Sequence, residues 1–181
     1  MKGGLIDLLF KYKRAFETDK EPLGAIIGHE IEIIANAEKP YPLLLRRPSY
    51  PASPSTRKAL EEHIKELMDL WVSRKVGHNE QVKLTKTVII TWHNEKSRMV
   101  GYFRALNTYN IPGRYPIPRI HETSKQFSQA KLITAMGALK GFHQYVLTEN
   151  SKNLLRIIVH CGICEYLRIQ FGKKMHLPAI K

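Results

Sequence analysis

The chain has 181 residues, with 29 Lys and Arg against 16 Asp and Glu, which gives a formal net charge of +13 at pH 7. So large an excess of positive charge favours a polyanionic partner, and nucleic acid is the first candidate. A hydrophobic content of 43% is too high for a disordered basic tail. Two cysteines are too few for a disulfide framework.

The sequence also excludes membrane-spanning and secreted proteins. No apolar run approaches the about 20 residues that a membrane span needs. At the N-terminus, Asp7 interrupts the chain before a signal-like apolar run can form. We therefore expect a soluble intracellular protein without a membrane partner, and nothing in the composition distinguishes the cytoplasm from the nucleus.

Residues 1–39 are predicted to form an arm with one helix and one short strand. Apolar residues recur at helical spacing within 5–16, which predicts an amphipathic helix. Further along, Ile31 and Ile33 alternate with glutamates, as the residues of a half-buried strand do.

A proline-rich segment, residues 40–55, separates this arm from the main domain at 56–181. It contains five of the ten prolines. Because proline fixes φ and has no N–H to donate, we expect an extended connector there. The main domain begins with the clearest helix of the sequence, predicted at 56–72. One face of that helix is apolar and contains Leu60, Ile64, Leu67, Met68 and Trp71.

The rest of the main domain is predicted to consist mainly of strands. Residues 82–91 and 98–103 flank a polar tip and predict a β-hairpin. A second proline cluster follows, and then a short polar helix is expected at about 122–129. Three apolar, strand-like runs come last, at 131–138, 154–160 and 163–169, and the final two are predicted to form another hairpin.

None of the common catalytic or cofactor motifs is complete. Cys161 and Cys164 form a CxxC, but a closed zinc site needs four ligands and no second half-site exists, so two reduced thiols at a turn are favoured. No aspartate follows Asp69, which excludes a Ser-His-Asp triad from the second half; Glu149 or Glu165 could orient a histidine there only by a chance pairing. Gly-rich phosphate-binding loops are absent.

Basic and aromatic residues alternate between positions 83 and 119. Cations contact phosphates and aromatic faces stack on bases, so the mixture favours a nucleic-acid groove. The alternative is a solvated hairpin whose aromatic side chains belong to the core, and periodicity alone does not decide between the two. The residues concerned are Lys83, Lys86, Lys96, Arg98, Arg104, Arg114, Arg119, Trp92, Tyr102, Phe103, Tyr109 and Tyr115.

Part of this region resembles a known protein family. The run SRMVGYFRALN, followed after three residues by IPGRYPIPRIHET, resembles W-R-x-x-x-D-Y-R-x-L-N-x-x-T-I-x-D-R-Y-P-L-P-R-I in the reverse transcriptases of gypsy-type long-terminal-repeat retrotransposons. Downstream, AKLITAMGALKGFHQ is similar to their first catalytic palm strand, A-x-x-F-x-x-x-D-L-x-x-G-Y-H-Q, and CGICEYLRIQFG is similar to x-G-x-Y-E-x-x-x-M-P-F-G. The matches follow the family's order from about residue 40 to Gly172.

The resemblance implies a fold, an ancestry and a partner. The fold would be α/β (α+β), with reverse-transcriptase-like fingers, an incomplete palm, and a mainly antiparallel sheet with flanking helices. The ancestral activity would be RNA-directed DNA polymerisation, and the partner would be a template–primer nucleic acid.

Several site residues are also implied by the resemblance. Arg98 matches a fingers arginine on the incoming triphosphate, which a planar guanidinium suits. Phe142, preceded by Gly141, matches an aromatic steric gate beside the sugar 2′ position, and Phe171 with Gly172 matches a pair beside the nascent base pair. The residues expected to contact nucleic acid are Arg104, Asn107, Arg114 and Arg119.

The catalytic carboxylates do not match. The palm aspartate of the family falls at Gly137, Tyr102 replaces a second family Asp, and the YxDD hairpin would lie beyond Lys181. The family's reaction uses Mg²⁺ or Mn²⁺ held by such carboxylates. We therefore expect no catalytic residue, no metal site, no cofactor and no polymerase activity.

Two functions are compatible with these residues. The chain is either an inactive copy of a retrotransposon reverse transcriptase, or a non-catalytic nucleic-acid-binding module that retains the basic groove of the fingers. An incomplete palm would also leave an unpaired edge at the strand bearing Gly137, through which two copies could associate.

Overall fold

A computed structural model describes residues 2–13, 23–26, 28–36, 45–82, 84–94, 96–111, 119–128, 130–134 and 137–171, and all structural statements below concern these residues. Their helices are α1 (Lys2–Lys11), α2 (Pro54–Asp69), α3 (Arg104–Tyr109), α4 (Ile120–Phe127) and α5 (Glu149–Leu154), with a 3₁₀ turn at Gly141–Gln144. Their strands are β1 (Ser73–Lys75), β2 (Lys86–His93), β3 (Lys96–Gly101), β4 (Arg156–Val159) and β5 (Gly162–Tyr166).

The strands form one five-stranded sheet in the order β1-β5-β4-β2-β3. All neighbouring pairs are antiparallel except β2 and β4, which are parallel. Helix α2 packs across β1, β2 and β3, and the core lies between this helix and the sheet. The predicted α/β (α+β) fold, with a mainly antiparallel sheet and flanking helices, is therefore confirmed.

Helix α2 begins and ends for local reasons. Ser53 caps it, because its hydroxyl accepts a hydrogen bond from the Thr56 N–H at 3.3 Å, and Pro54 occupies the first turn, where no N–H is needed. The helix stops at Asp69, earlier than predicted, because Trp71 adopts a left-handed backbone with φ of 55°. Its indole, expected on the apolar face, is 76% exposed.

The predicted hairpin over β2 and β3 is confirmed. His93 pairs with Lys96, so the turn has two residues, and Asn94 takes a positive φ of 47° that asparagine tolerates well. At the far end of β3, a Cβ on Gly101 would lie 2.3 Å from Cε2 of Phe103. Glycine therefore permits the buried Phe103 ring to lie against the backbone there.

The arm is attached to the main domain. Ile31 and Ile33 are buried, as their alternation with glutamates predicts. The Ile31 N–H donates to the Val146 carbonyl at 2.8 Å, and the Ile33 N–H donates to Ser151 Oγ at 2.7 Å. Ile31 forms an isolated bridge with Leu147, and this segment has no regular strand.

Helix α1 and the connector agree in part with their predictions. The helix begins at Lys2 instead of residue 5, and the expected part beyond residue 13 lies outside the described residues. Residues 46–53 of the connector contain no helix or regular strand. Leu45 is nevertheless fully buried, and the Arg47 N–H donates to the Thr85 carbonyl at 3.0 Å, so this end of the connector packs beside the start of β2.

The short helix α4 is confirmed at Ile120–Phe127, and the last hairpin is confirmed with shorter strands, β4 and β5.

The strand expected at 131–138 is wrong: residues 131–134 and 137–138 form no strand, and Leu132 is 92% exposed. Since an apolar run becomes a strand only when a neighbour pairs with it, composition was misleading here. The two edges of the described sheet are β1 and β3, so no edge strand bears Gly137, and self-association stays a prediction.

A buried ion network lies across β4 and β5. The Arg156 Nε donates to Glu165 Oε1 at 2.8 Å, and both side chains are almost completely buried. Arg74 binds the other oxygen of Glu165, and it also makes a bidentate pair with Glu80 at 2.7 and 2.8 Å. Two carboxylates therefore balance two guanidiniums, with Arg156 and Glu165 buried and Arg74 and Glu80 partly exposed to solvent. Within the described ranges, no helix has both the length and the apolar character needed to cross a bilayer.

Candidate functional site

A cavity of about 610 Å³ opens between α2, β3 and the 3₁₀ turn. Its volume lies in the ordinary range for small-molecule sites, which is about 300–1,000 Å³. Strand β3 lines it with Ser97–Val100, α2 lines it from the other side, and residues 170–171 close one end. Four segments that are distant in sequence therefore contribute to one site.

Arg98 is one of the residues that line this cavity. It is exposed on the edge strand β3, opposite Thr91. Among the described residues, no carboxylate lies within ion-pair distance of Arg98. Among these residues, its guanidinium donors are therefore not engaged by a carboxylate.

An aromatic pair lies beside the cavity. The rings of Phe142 and Phe171 are 4.5 Å apart between centroids and tilted by 57°. Phe171 lines the cavity, and both rings are partly exposed. A Cβ on Gly141 would lie 3.2 Å from the Ala138 Cβ, so a small residue suits the turn that carries Phe142. The structure therefore brings together Arg98, Phe142 and Phe171, with Gly141 in support.

His143 anchors this turn. The ring is buried, its Nδ1 lies 2.8 Å from the Ile169 carbonyl, and burial lowers its pKa below the usual value. A neutral imidazole that donates from Nδ1 satisfies this carbonyl. His143 therefore joins the 3₁₀ turn to the segment that carries Phe171.

Two contacts join α2 to the other walls. His63 Nε2 lies 2.9 Å from Ser97 Oγ on β3, and Glu66 forms an ion pair with Lys140, the residue before the 3₁₀ turn. Their sequence separations of 34 and 74 residues leave no local pattern in the sequence, so these wall residues were not predicted.

The other expected nucleic-acid contacts lie elsewhere. Arg104 and Asn107 are on α3, and Arg119 directly precedes α4; both arginines are exposed. Within the described part of the chain, these three residues are not among those that line the cavity. Arg114 and Gly172 lie outside the described residues.

The basic and aromatic side chains between positions 83 and 119 fall into two groups, one exposed and one buried. Trp92, Lys96 and Arg98 are exposed, as a binding surface requires. Lys86 and Phe103 are each 1% exposed, so their assignment to a groove is wrong. Lys83 and Tyr115 lie outside the described residues.

Lys86 is buried because β2 enters the core at its first residues. The Nζ donates to the Leu45 carbonyl at 2.9 Å, and burial lowers the pKa of this lysine to about 8. Its neighbours along the strand, Thr87 and Val88, are also buried, while the end of β2 is exposed. Lys86 is therefore a core residue.

Gly137 occupies open space. It is exposed, and no atom lies within 4 Å of the position that a Cβ would take. In the described part of the chain, no three His, Cys, Asp or Glu side chains are grouped as a metal site would need. The residues around this position therefore do not fit the carboxylate cage that the family's divalent ions require.

The remaining candidate residues are the two cysteines and the glutamates Glu149 and Glu165. Cys161 is exposed at the β4–β5 turn, whereas Cys164 is buried, and burial raises the pKa of its thiol to about 11. Glu165 binds Arg156 and Glu149 binds Lys152, which agrees with the expectation that neither glutamate orients a catalytic histidine.

Comparison with known sequences identifies relatives that match most of the chain. The retrovirus-related Pol polyprotein from transposon opus of Drosophila melanogaster is 30% identical over 178 residues, which are 97% of this chain and 17% of the polyprotein. The corresponding polyprotein from transposon gypsy is 27% identical over 171 residues, 92% of this chain and 16% of its own length. The chain thus spans about a sixth of these relatives. No protein-family model matches it.

Solved structures support the fold. The prototype foamy virus protease-reverse transcriptase superimposes with a TM-score of 0.69 at 20% identity, covering 95% of this chain and 22% of the viral one. The foamy viral enzyme in complex with an RNA/DNA hybrid gives 0.67 at 14% identity, with the same coverage. These findings agree with the motifs at 97–119, 130–144 and 161–172. The chain is therefore a retrotransposon reverse-transcriptase-like segment, similar in sequence to part of the retrovirus-related Pol polyproteins of transposons opus and gypsy.

Proposed function

We propose that this chain is a reverse-transcriptase-derived segment that binds nucleic acid and a nucleotide but does not polymerise DNA. The observation that carries the proposal is Arg98, a guanidinium without a carboxylate partner in the described residues, in a cavity that Phe171 also lines. An anion held by Arg98 and a ring stacked on an aromatic face are the two contacts that a nucleotide requires.

The surface around Arg98 suits a nucleic-acid strand. Trp92 and Lys96 are exposed on the same hairpin, and the whole chain carries a net charge of +13. Foamy viral relatives of the same fold have been solved with an RNA/DNA hybrid and with double-stranded DNA. This likeness supports a template–primer as the partner of the present chain.

We propose that the chain lacks polymerase activity because Gly137 stands at the position of the family's palm aspartate. Phosphodiester transfer in this fold depends on divalent ions held between carboxylates. Glycine offers no ligand at the position of the palm aspartate, and the described surroundings contain no substitute carboxylate cluster. We therefore propose no metal cofactor for this chain.

Reversing the charge of Arg98 tests the binding surface. In a titration of the chain with a primer–template duplex, Arg98→Glu is expected to weaken binding about tenfold, as loss of a charge-assisted contact does. It is also expected to reduce the slope of log K against log salt by about 1, because one fewer counterion is released.

Lys75→Glu is the matched control for that titration. Lys75 is equally exposed but lies on β1, at the opposite edge of the sheet from β3. If both variants weaken binding equally, the affinity reflects net charge alone and no groove exists on the β3 side. Absence of any duplex binding by the unmodified chain would favour an inactive copy without a binding function.

A primer-extension assay tests the proposed lack of polymerase activity. With a primer–template, all four deoxynucleoside triphosphates and Mg²⁺ or Mn²⁺, we expect no template-dependent incorporation, since Gly137 cannot coordinate a metal. Gly137→Asp supplies one carboxylate and serves as the comparison. Incorporation by the unmodified chain would contradict the proposal.

A further inference from the structure

The connector contains a short basic motif that ends in a hydroxyl group. Arg46 and Arg47 stand three and two residues before Ser49, and Tyr50 follows it. No other serine or threonine of the chain has an arginine at both of these positions. Protein kinases select substrates by such charge patterns, and a pair of arginines suits a kinase whose substrate groove presents carboxylates.

We propose that Ser49 is a phosphorylation site for a protein-serine kinase with an acidic substrate groove, and that Arg46 and Arg47 are the residues this kinase recognises. The inference does not depend on the nucleotide or nucleic-acid binding proposed above, because it concerns another segment and another partner.

The side chains of the motif are accessible to such a partner. Residues 47–53 contain no helix or strand, so their side chains are not packed into a regular element. Both arginines and Tyr50 are exposed, and Ser49 is partly exposed. Within the described residues, no carboxylate lies within ion-pair distance of either arginine. Their guanidiniums can therefore pair with the carboxylates of a kinase.

Hydrogen bonds hold the motif on the protein surface through its main chain. The Arg47 N–H donates to the Thr85 carbonyl at 3.0 Å, and Thr87 Oγ1 donates to the Pro48 carbonyl at 2.7 Å. Neither bond involves a side chain of the motif. The fold thus fixes the position of the backbone and leaves the arginine side chains for recognition by a partner.

The modification is a phosphoryl transfer from ATP. The Ser49 Oγ attacks the γ-phosphorus and forms the new O–P bond, while the bond from that phosphorus to the β–γ bridging oxygen breaks and ADP leaves. The hydroxyl proton passes to the catalytic base of the kinase. The phosphate adds a charge of about −2 at pH 7, which offsets the two positive charges of Arg46 and Arg47.

The test incubates the full chain with ATP, Mg²⁺ and the catalytic subunit of cyclic-AMP-dependent protein kinase, which prefers two arginines before the serine. We expect intact-mass spectrometry to show one added phosphoryl group and peptide mapping to place it at Ser49. Ser49→Ala should abolish this incorporation. Ser49→Thr, which keeps a hydroxyl group, should retain it.

Initial rates test recognition of the arginines. Arg46→Gln and Arg47→Gln are each expected to lower the rate about tenfold, as loss of a charge-assisted contact does. The matched control is Arg104→Gln, which removes an exposed arginine from α3 and should leave the rate unchanged. Ser128 is an internal control: it follows Lys125 by three residues, but its hydroxyl donates to the Lys125 carbonyl at 2.8 Å, so no phosphate is expected there.

Three results would overturn the inference. The first is no incorporation into the folded chain while a synthetic peptide of residues 45–53 is phosphorylated, or no incorporation into either; the fold or the motif itself then fails to serve the kinase. The second is incorporation that persists in Ser49→Ala. The third is a rate for Arg46→Gln and Arg47→Gln that equals the rate for Arg104→Gln, which means that the kinase does not read the arginines.

Discussion

Replacing Arg156 by methionine is expected to lower the free energy of unfolding by about 3–5 kcal/mol, the usual cost of leaving one member of a buried ion pair without its partner. Glu165, only 3% exposed at its side chain, would lose the Nε contact of 2.8 Å and keep only Arg74. The Gln81 carbonyl would also lose its donor, Arg156 Nη1, at 2.8 Å. Urea denaturation of both proteins measures the difference.

Two further variants make this prediction specific. Arg156→Met combined with Glu165→Leu removes both charges from the contact, and we expect it to recover much of the loss, because a buried pair replaced by apolar groups is often neutral. Arg47→Met removes an exposed arginine and should change stability by less than about 0.5 kcal/mol. An Arg156→Met variant as stable as Arg47→Met would contradict the importance of the network.

Replacing Lys86 by methionine is expected to stabilise the protein at pH 7. Burial lowers the pKa of Lys86 from 10.5 to about 8, so charging it in the fold costs about 3 kcal/mol. Removing the amine avoids this cost but gives up one hydrogen bond to Leu45, worth about 1 kcal/mol. A net gain of about 2 kcal/mol is therefore expected.

The gain should depend on pH in a defined direction. Between pH 8 and 10.5, the unfolded chain still binds the Lys86 proton that the folded chain has released, so this lysine makes stability rise with pH. The advantage of Lys86→Met is full below pH 8 and shrinks as the pH approaches 10.5. Burial raises the pKa of Cys164 and Tyr166, which titrate in the opposite sense, so the quantity to compare is the difference between the two proteins at pH 7 and pH 10. A constant difference would contradict the prediction.

Much of the local structure was predictable because it depends on near neighbours in sequence. The cap at Ser53, the proline after it and an apolar stripe every three or four residues define α2. A two-residue polar turn between β-rich runs defines the β2–β3 hairpin. The family likeness implied Arg98, Phe142 and Phe171 as nucleotide-binding residues. Arg98 and Phe171 line one cavity and the Phe142 ring lies against Phe171, while their roles stay predictions.

Other features depend on which segments become neighbours. Residues 131–134 have the composition of a strand but have no pairing partner, and Lys86 looks like its exposed basic neighbours until β2 enters the core beside Leu45. The contacts of Glu66 with Lys140 and of Arg156 with Glu165 join residues whose charge alone does not indicate a partner.

Local propensity and charge were thus enough for α1, α2, α4, the two hairpins and the basic character, because each of these is a property of the chain itself, whereas the short elements α3, α5 and β1 were not predicted. The burial of Lys86 and the ion network were decided by tertiary structure. Burial and hydrogen-bond partnership depend on the atoms that surround a group, and distant segments supply those atoms only after the chain has folded.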